Sequence, residues 1–383
     1  RYFEHLKPGQ NRGGWVDTGG SDPLDRYAEQ LWLTLFAKAP EITLFDIRQM
    51  QYPVRENTRA AWQGTGTSFD FDKMKASRTG KDGSSPAHVT YAGAAGYSLE
   101  VIDSVLGSLG EPLGIKSYRP YHSVGEDFLQ NYLGMIGIPI EIVPEFPEKE
   151  EMVLLTETAS FDPQIVEKIQ KQLREGKDVT VTSGFYRAMQ GRGIEDIAEL
   201  RVTDRKASVR EFSAGWGPAV TIGKEMIIPQ IHYLTNDSWE VISALDDTNG
   251  WPVLHRAGYS GGQFYVLTVP DNFIDFYNLP PAVLDRLRQH IAGSLDVLME
   301  GPAEVSLFVY DNGSFAVESF LDEEVTIRIL VDPSSEKITD AATGKVIPGT
   351  LREAPSFRNR KLGEDARVYS ITLKPHSFRA YTY

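Results

Sequence analysis

No cysteine occurs among the 383 residues. Disulfides, thiolate metal sites and cysteine nucleophiles are therefore excluded, and the redox compartment cannot be read. Histidine is scarce, at seven residues, and none shows the His-Glu-x-x-His spacing of a zinc hydrolase. Neither a phosphate loop nor a dinucleotide fingerprint is present. No metal and no cofactor are expected. No apolar run reaches the roughly 18 residues of a membrane span, so no membrane partner is expected. Positive charge is in deficit: 39 Lys+Arg stand against 53 Asp+Glu, a net charge of −14. That balance argues against a nucleic-acid backbone or an anionic membrane surface as partner. A neutral partner such as a sugar is compatible with it. The opening stretch RYFEHLKPGQ reads neither as a signal peptide nor as a domain start.

What the sequence does have is alternation. The length suits two or three domains of roughly 100–200 residues. Residues 13–20, GGWVDTGG, read as a strand ending in an aspartate and a glycine turn. A helix follows over residues 22–39. Asp22 is placed to cap it and Pro23 suits its first position. Leu24, Tyr27, Ala28, Leu31, Trp32, Leu35 and Ala39 recur at helical spacing, and Pro40 stops the run. A short apolar strand, EITLFDI, comes next. Residues 51–90 are polar and rich in Gly and Ser, and loops of such length are usually functional or disordered. A helix returns over residues 95–110. From Gly114 strands alternate with helices, which implies a parallel sheet covered on both faces. The helix over residues 163–175 carries Asp162 as cap and Gly176 as stop. Several strand-like segments follow Ser208, and one more helix closes this region near residue 295. The remainder alternates with period two around a hairpin at Asp311, Asn312 and Gly313, which reads as a small antiparallel sandwich.

Few residues carry a chemical signal. Ser183 lies where a strand turns into a helix, the setting of a nucleophile elbow, but the Gly-x-Ser-x-Gly pattern is missing and no histidine is near in sequence. A helix cap is the plainer role for it. Glu145, Glu148, Glu150 and Glu151 form an acidic run that reads as a solvated turn. Asp17 is the sharper candidate. At the C-terminal end of a barrel strand a side chain points into the active-site mouth. The plainer alternative is an Asx turn before Gly19 and Gly20.

Three features together resemble a family. Residues 13–47 look like the seventh and eighth βα units of a clan A glycoside hydrolase barrel. Residues 114–144 and 174–197 look like the domain that follows the barrel in family 42 β-galactosidases, and the terminal β region fits the same order. The resemblance implies an α/β plus β protein of three parts. Residues 1–110 would be the C-terminal quarter of a (β/α)8 TIM barrel, residues 111–298 a class I glutamine-amidotransferase-like (flavodoxin-like) domain, and residues 299–383 a C-terminal antiparallel β-sandwich. The implied activity is that of a glycoside hydrolase on β-linked, β-galactosidase-like substrates. The alternative is a non-catalytic carbohydrate-binding or assembly protein that kept the architecture. Working amidotransferase chemistry is excluded, because it needs a cysteine.

The resemblance makes Asp17 the catalytic candidate, though the family uses a glutamate there and an aspartate reaches one methylene less far. Trp15, Asp46 and Arg48 would line the same mouth and bind substrate. Trp62, with Phe69 and Phe71, would offer stacking surface from the loop at 51–90, expected on Asp17's side of the barrel; packing of that loop onto the barrel is the alternative. About six βα units of a barrel are missing from these residues. The expectation is a fragment of a longer enzyme, inactive alone, or a barrel completed by another chain. The resemblance also implies a homo-oligomer, a trimer, through the central domain, with contacts in residues 118–128 and 189–200. Tyr118, Tyr121 and Arg192 would serve that contact, or else pack within the domain. It further implies a periplasmic or secreted bacterial setting.

Overall fold

A computed structural model describes residues 1–18, 22–77, 89–215, 217–234, 237–246, 249–354, 356–357, 360–361 and 363–383. The first stretch runs α1 (Tyr2–Leu6), β1 (Gly14–Asp17), α2 (Asp25–Phe36), β2 (Ile42–Phe45), α3 (Ile47–Met50), α4 (Phe71–Ser77) and α5 (Tyr91–Leu106). Strands β1 and β2 pair in parallel as a two-stranded sheet, with Trp15 opposite Thr43 and Asp17 opposite Phe45. Gly13 is required at the entry: its φ is +111°, and a Cβ there would stand 1.7 Å from the carbonyl oxygen of Glu41. Val16 is buried among the helices, whereas Trp15 is 76% and Phe45 41% exposed on the opposite face.

Helix α2 begins at Asp25, later than the expected Asp22. No side chain caps it, and the Leu24 N–H donates to the Thr58 carbonyl instead. The apolar stripe is as expected: Leu24, Tyr27, Ala28, Leu31 and Trp32 are fully buried. The Trp32 indole N–H donates to the Ser98 carbonyl on α5 at 3.0 Å. The region expected as a loop at 51–90 holds α4 and a 3-10 turn over Glu56–Thr58; residues 78–88 lie outside the described residues. Phe69 and Phe71 are buried in the core of this stretch, so they are packing residues and not stacking surface.

The middle stretch contains β3 (Pro112–Leu113), β4 (Ile115–Tyr118), α6 (Leu129–Met135), β5 (Ile140–Val143), β6 (Met152–Leu155), α7 (Ile165–Arg174), β7 (Asp178–Thr182), α8 (Ser183–Met189), β8 (Leu200–Ala214), β9 (Val220–Tyr233), β10 (Ser238–Leu245), β11 (Gly250–Tyr259), β12 (Gly262–Leu267) and α9 (Pro281–Ile291). Nine strands form one sheet in the order β5-β4-β6-β7-β12-β11-β10-β8-β9. The half from β5 to β12 is parallel, as the alternation implied. The half from β12 to β9 is antiparallel. Separate apolar clusters cover the two faces. Asp162 stands before α7 and accepts the Gln164 N–H at 2.9 Å, and the helix proper starts at Ile165.

The last stretch is β13 (Leu298–Glu300), β14 (Val305–Tyr310), β15 (Ser314–Ser319), β16 (Val325–Val331), β17 (Lys337–Asp340), β18 (Val346–Pro348), β19 (Thr350–Arg352), β20 (Ser356–Phe357), β21 (Arg360–Lys361), β22 (Ala366–Leu373) and β23 (Ser377–Thr382). A four-stranded sheet, β13-β16-β22-β19, and a six-stranded one, β18-β17-β23-β15-β14-β3, share an apolar cluster. The expected hairpin at Asp311–Gly313 joins β14 to β15. Strand β3, on the way from the first stretch to the second, pairs with β14.

Period-two patterning gives β15 two different faces. Phe315 and Val317 point into the cluster between the sheets. Ala316 joins Tyr310, Phe378 and Ala380 in the same core as α2 and α5. The Tyr310 hydroxyl, fully buried, donates to the Phe36 carbonyl at 3.0 Å. The first and last stretches thus share one core.

Candidate active site

Trp15, Asp17, Thr43 and Phe45 lie on the outward face of the β1–β2 pair. The rings of Trp15 and Phe45 stack with centroids 5.4 Å apart and planes 5° from parallel. Asp17 ends β1 on that face, and the Gly19–Gly20 turn proposed for it lies outside the described residues. Burial, with the Asp17 charge adding to it, pushes the Tyr27 hydroxyl on α2 up to about 12.

Asp46 follows directly on β2. Its carboxylate caps α3, accepting the N–H groups of Arg48 at 2.8 Å and Gln49 at 3.0 Å. Those bonds hold its pKa below the usual carboxylate range. The Gln49 side chain in turn accepts the Thr18 hydroxyl, which ties the end of β1 to the start of α3. Asp46 thus caps α3, and Arg48 is exposed beside it. Asp17, Asp46 and Arg48 lie at or just past the C-terminal ends of two adjacent parallel strands, and Trp15 lies two residues before Asp17 on the same face.

Trp62 is placed differently. Its ring lies on the imidazole of His376 at 3.9 Å, and its N–H donates to Asp25 at 2.8 Å. One ring face is therefore covered by a residue of the last stretch. Phe45, unnoticed in the sequence, is the ring that stacks with Trp15. The alternation of EITLF could have shown it, since Phe45 shares a face with Thr43.

Ser183 is not the cap. Thr182 caps α8, accepting the Phe185 N–H at 3.1 Å. The Ser183 hydroxyl accepts the Val269 N–H at 3.0 Å. The Glu126 carboxylate accepts the Thr182 hydroxyl at 2.6 Å and the Glu157 N–H at 2.8 Å; burial raises its pKa. In the acidic run, Glu148 is exposed and pairs with Lys171 at 2.6 Å, as a solvated turn would. Among the described residues no group of three or more His, Asp or Glu could hold a metal ion, and no helix is long and apolar enough to cross a membrane. Of the trimer candidates, Tyr118 is buried and donates to Asp162 at 3.0 Å, and Arg192 donates to the Ser160 carbonyl at 3.3 Å. Tyr121 is exposed, with Val124 and Phe128 on the same loop.

Comparison with known proteins bears on this geometry. Residues 1–108 match a family model described as "probable glycosyl hydrolase, catalytic domain". Residues 296–383 match one described as "probable glycosyl hydrolase, C-terminal domain". Residues 110–272 match the second domain of uncharacterized protein SSO3021. The chain is related to the glycoside hydrolases. Solved structures share the fold. A β-galactosidase from Bacillus circulans sp. alkalophilus aligns at 14% identity with a TM-score of 0.51, covering 93% of this chain and 52% of that one. Gan42B, a GH42 β-galactosidase from G. stearothermophilus, aligns at 12% identity and a TM-score of 0.49, covering 94% and 51%. This chain thus spans about half the length of those enzymes. No curated protein sequence matches it.

Proposed function

We propose that residues 1–110 supply the last quarter of a (β/α)8 barrel in a glycoside hydrolase acting on β-linked, β-galactosidase-like sugars. Residues 111–298 then form an amidotransferase-like α/β domain, and residues 299–383 a β-sandwich. The observation that carries this reading is the bare face of the β1–β2 pair. Four side chains there, two of them large aromatics, face away from the helices that cover the other side. In a closed barrel that face is the interior, and Asp17 sits at the strand end where barrel enzymes gather their catalytic groups. Stacked Trp15 and Phe45 offer the apolar surface a pyranose ring rests on, and Asp46 and Arg48 the polar rim. Trp62 is left to position its own segment. The residues present are inactive alone, since retaining hydrolysis needs two carboxyls about 5–5.5 Å apart and the β1–β2 pair brings Asp17.

The test is turnover of aryl β-glycosides by a protein carrying all eight strands. Asp17→Asn should lower kcat by about 10²–10⁴-fold with KM little changed. Sugar binding with no turnover in the unmutated protein would favour the alternative, a carbohydrate-binding protein that kept the architecture; the short reach of an aspartate favours it too.

The same reading includes a homotrimer through the central domain. Exposed Tyr121, Val124 and Phe128 support it, because aromatic residues are enriched at interfaces. A specific assembly should bury more than about 1,000 Å² in a closed arrangement. Sedimentation at micromolar concentration should give a trimer that Tyr121→Asp and Phe128→Asp weaken. A clean monomer would remove the idea.

A further inference from the structure

Where α2 meets the last two strands, carboxylates converge on one imidazole. His376 lies in the turn between β22 and β23 and is 2% exposed. Its Nδ1 is 2.5 Å from Glu29 Oε1 on α2, and its Nε2 is 2.9 Å from Asp322 Oδ1. Trp62 lies flat on the ring, with planes 14° apart. The Trp62 N–H is held by Asp25, one turn before Glu29 on the same helix. Glu318, on the α2-facing side of β15, is wholly buried, and neither of its oxygens has a hydrogen-bond partner. Glu304 adds a further negative charge near His376, and Arg26 on α2 acts on Glu29.

With Glu29 and Asp322 ionised, the geometry favours the charged ring. A neutral imidazole has one N–H donor and one lone pair. Set between two carboxylate oxygens, it can satisfy one and must turn its lone pair on the other. Only the imidazolium donates to both, and such charge-assisted bonds are about twice as strong as neutral ones.

We propose that His376 is a proton-operated latch between the first and last stretches of the chain: as imidazolium it clamps α2 and the Trp62 segment to the terminal β strands, and on deprotonation the junction loosens. The latch operates whether or not the protein hydrolyses a sugar.

The direction follows from the groups around it. Burial works against the charge on His376, but Glu29 and Asp322 outweigh it and raise its pKa above 6.5. Its stabilising effect is therefore complete below about pH 6.5 and is lost as pH rises through the raised value. Burial also raises Glu29 and Glu318, so each is ionised at higher pH than in the unfolded chain, at a cost to the junction. Both effects oppose the closed junction at alkaline pH.

The experiment uses the full chain. It has six tryptophans, so the Trp62 emission is taken as the difference between the unmutated chain and Trp62→Phe. That component should be quenched by the stacked imidazolium and should rise with pH, with a midpoint above 6.5 and an unchanged far-UV circular dichroism signal. Hydrogen exchange in α2 and at residues 374–377 should rise with the same midpoint. In His376→Gln the titration should vanish. In Asp322→Asn, whose side chain is 72% exposed, the midpoint should fall by about one unit. A Trp62 component flat from pH 5 to 9, or one that still titrates in His376→Gln, overturns the latch. Should His376→Gln fail to fold, an unshifted midpoint in Asp322→Asn overturns it equally.

Discussion

Replacing Arg288 by methionine is expected to cost about 3–5 kcal/mol of stability, the range for removing one partner of a buried ion pair. Arg288 lies on α9 and is 1% exposed. Its Nε donates to the Ile136 carbonyl at 2.6 Å, Nη1 to Asp285 and to the Gly301 carbonyl at 2.8 Å each, and Nη2 to the Pro302 carbonyl at 2.9 Å. Burial pulls the guanidinium down to about 10, with Asp285 opposing that shift, so it stays charged at neutral pH. The side chain thus pins the end of α6 and the entry to the terminal β strands onto one helix. Methionine fills the volume but strands three carbonyls and a largely buried carboxylate. Lysine, a point charge without the guanidinium fork, should recover little of the loss. Adding Asp285→Leu to Arg288→Met should restore part of the stability, because the orphaned charge goes with it. Urea denaturation followed by circular dichroism reads all three. A change under 1 kcal/mol in Arg288→Met would mean that the junction is held by apolar packing alone.

Glu141→Gln should also cost about 3 kcal/mol, and in a pH-dependent way. Glu141 on β5 is 3% exposed. It accepts from Arg1 Nε at 2.8 Å, lies 2.7 Å from His5 Nε2 and 3.3 Å from Lys116 Nζ, which docks α1 onto the edge of the central sheet. Burial alone would raise its carboxyl. The bonds from His5 and Arg1 and the charge of Lys116 outweigh burial and hold it at about 2, against 4.5 in a free chain. Each pKa unit is worth about 1.4 kcal/mol. A depressed carboxylate stabilises above its unfolded value, and the effect is lost as pH falls toward its folded value. Stability should therefore drop between about pH 5 and pH 2 in the unmutated chain and be flatter over that range in Glu141→Gln. Parallel acid limbs would show that Glu141 is not the group responsible.

Local pattern carried the reading of this fold a long way, and its failures have a common cause. Leu24, Tyr27, Leu31 and Trp32 declared α2 because a 3.6-residue period is a property of one segment. The β–α alternation after Gly114 declared the parallel half of the central sheet in the same way. Helix α5 was partly legible: Ile102 and Val105 are buried as a helical period requires, but so are Ala94, Ala95 and Ser98. Small residues look neutral in a sequence, and here they let α2 approach closely. The site divides along the same line. Trp15 and Asp17 could be placed on one face from strand alternation. Trp62 could not be placed, because its neighbour His376 is hundreds of residues away. Glu29 meets His376 across 347 positions, and no period reaches that far. The latch became visible only when the fold brought its members together.

The shared core of α2, α5 and the β14–β15–β23 face also has a consequence for synthesis on the ribosome. Tyr310 reaches Phe36 across 274 positions, and Trp32 packs edge-on against Phe378. At roughly 5–20 residues per second, α2 emerges tens of seconds before the strands that cover it. During that interval its apolar side has no partner from the last stretch. The central sheet, whose strand pairings fall within its own stretch, can form first and hold the two flanking stretches within reach of each other. Pro112 and Leu113 are then already positioned where β14 will pair, so the final strands add to an edge that is waiting for them. A nascent chain stalled before residue 300 should accordingly be protected from protease in its middle and cut readily near its start.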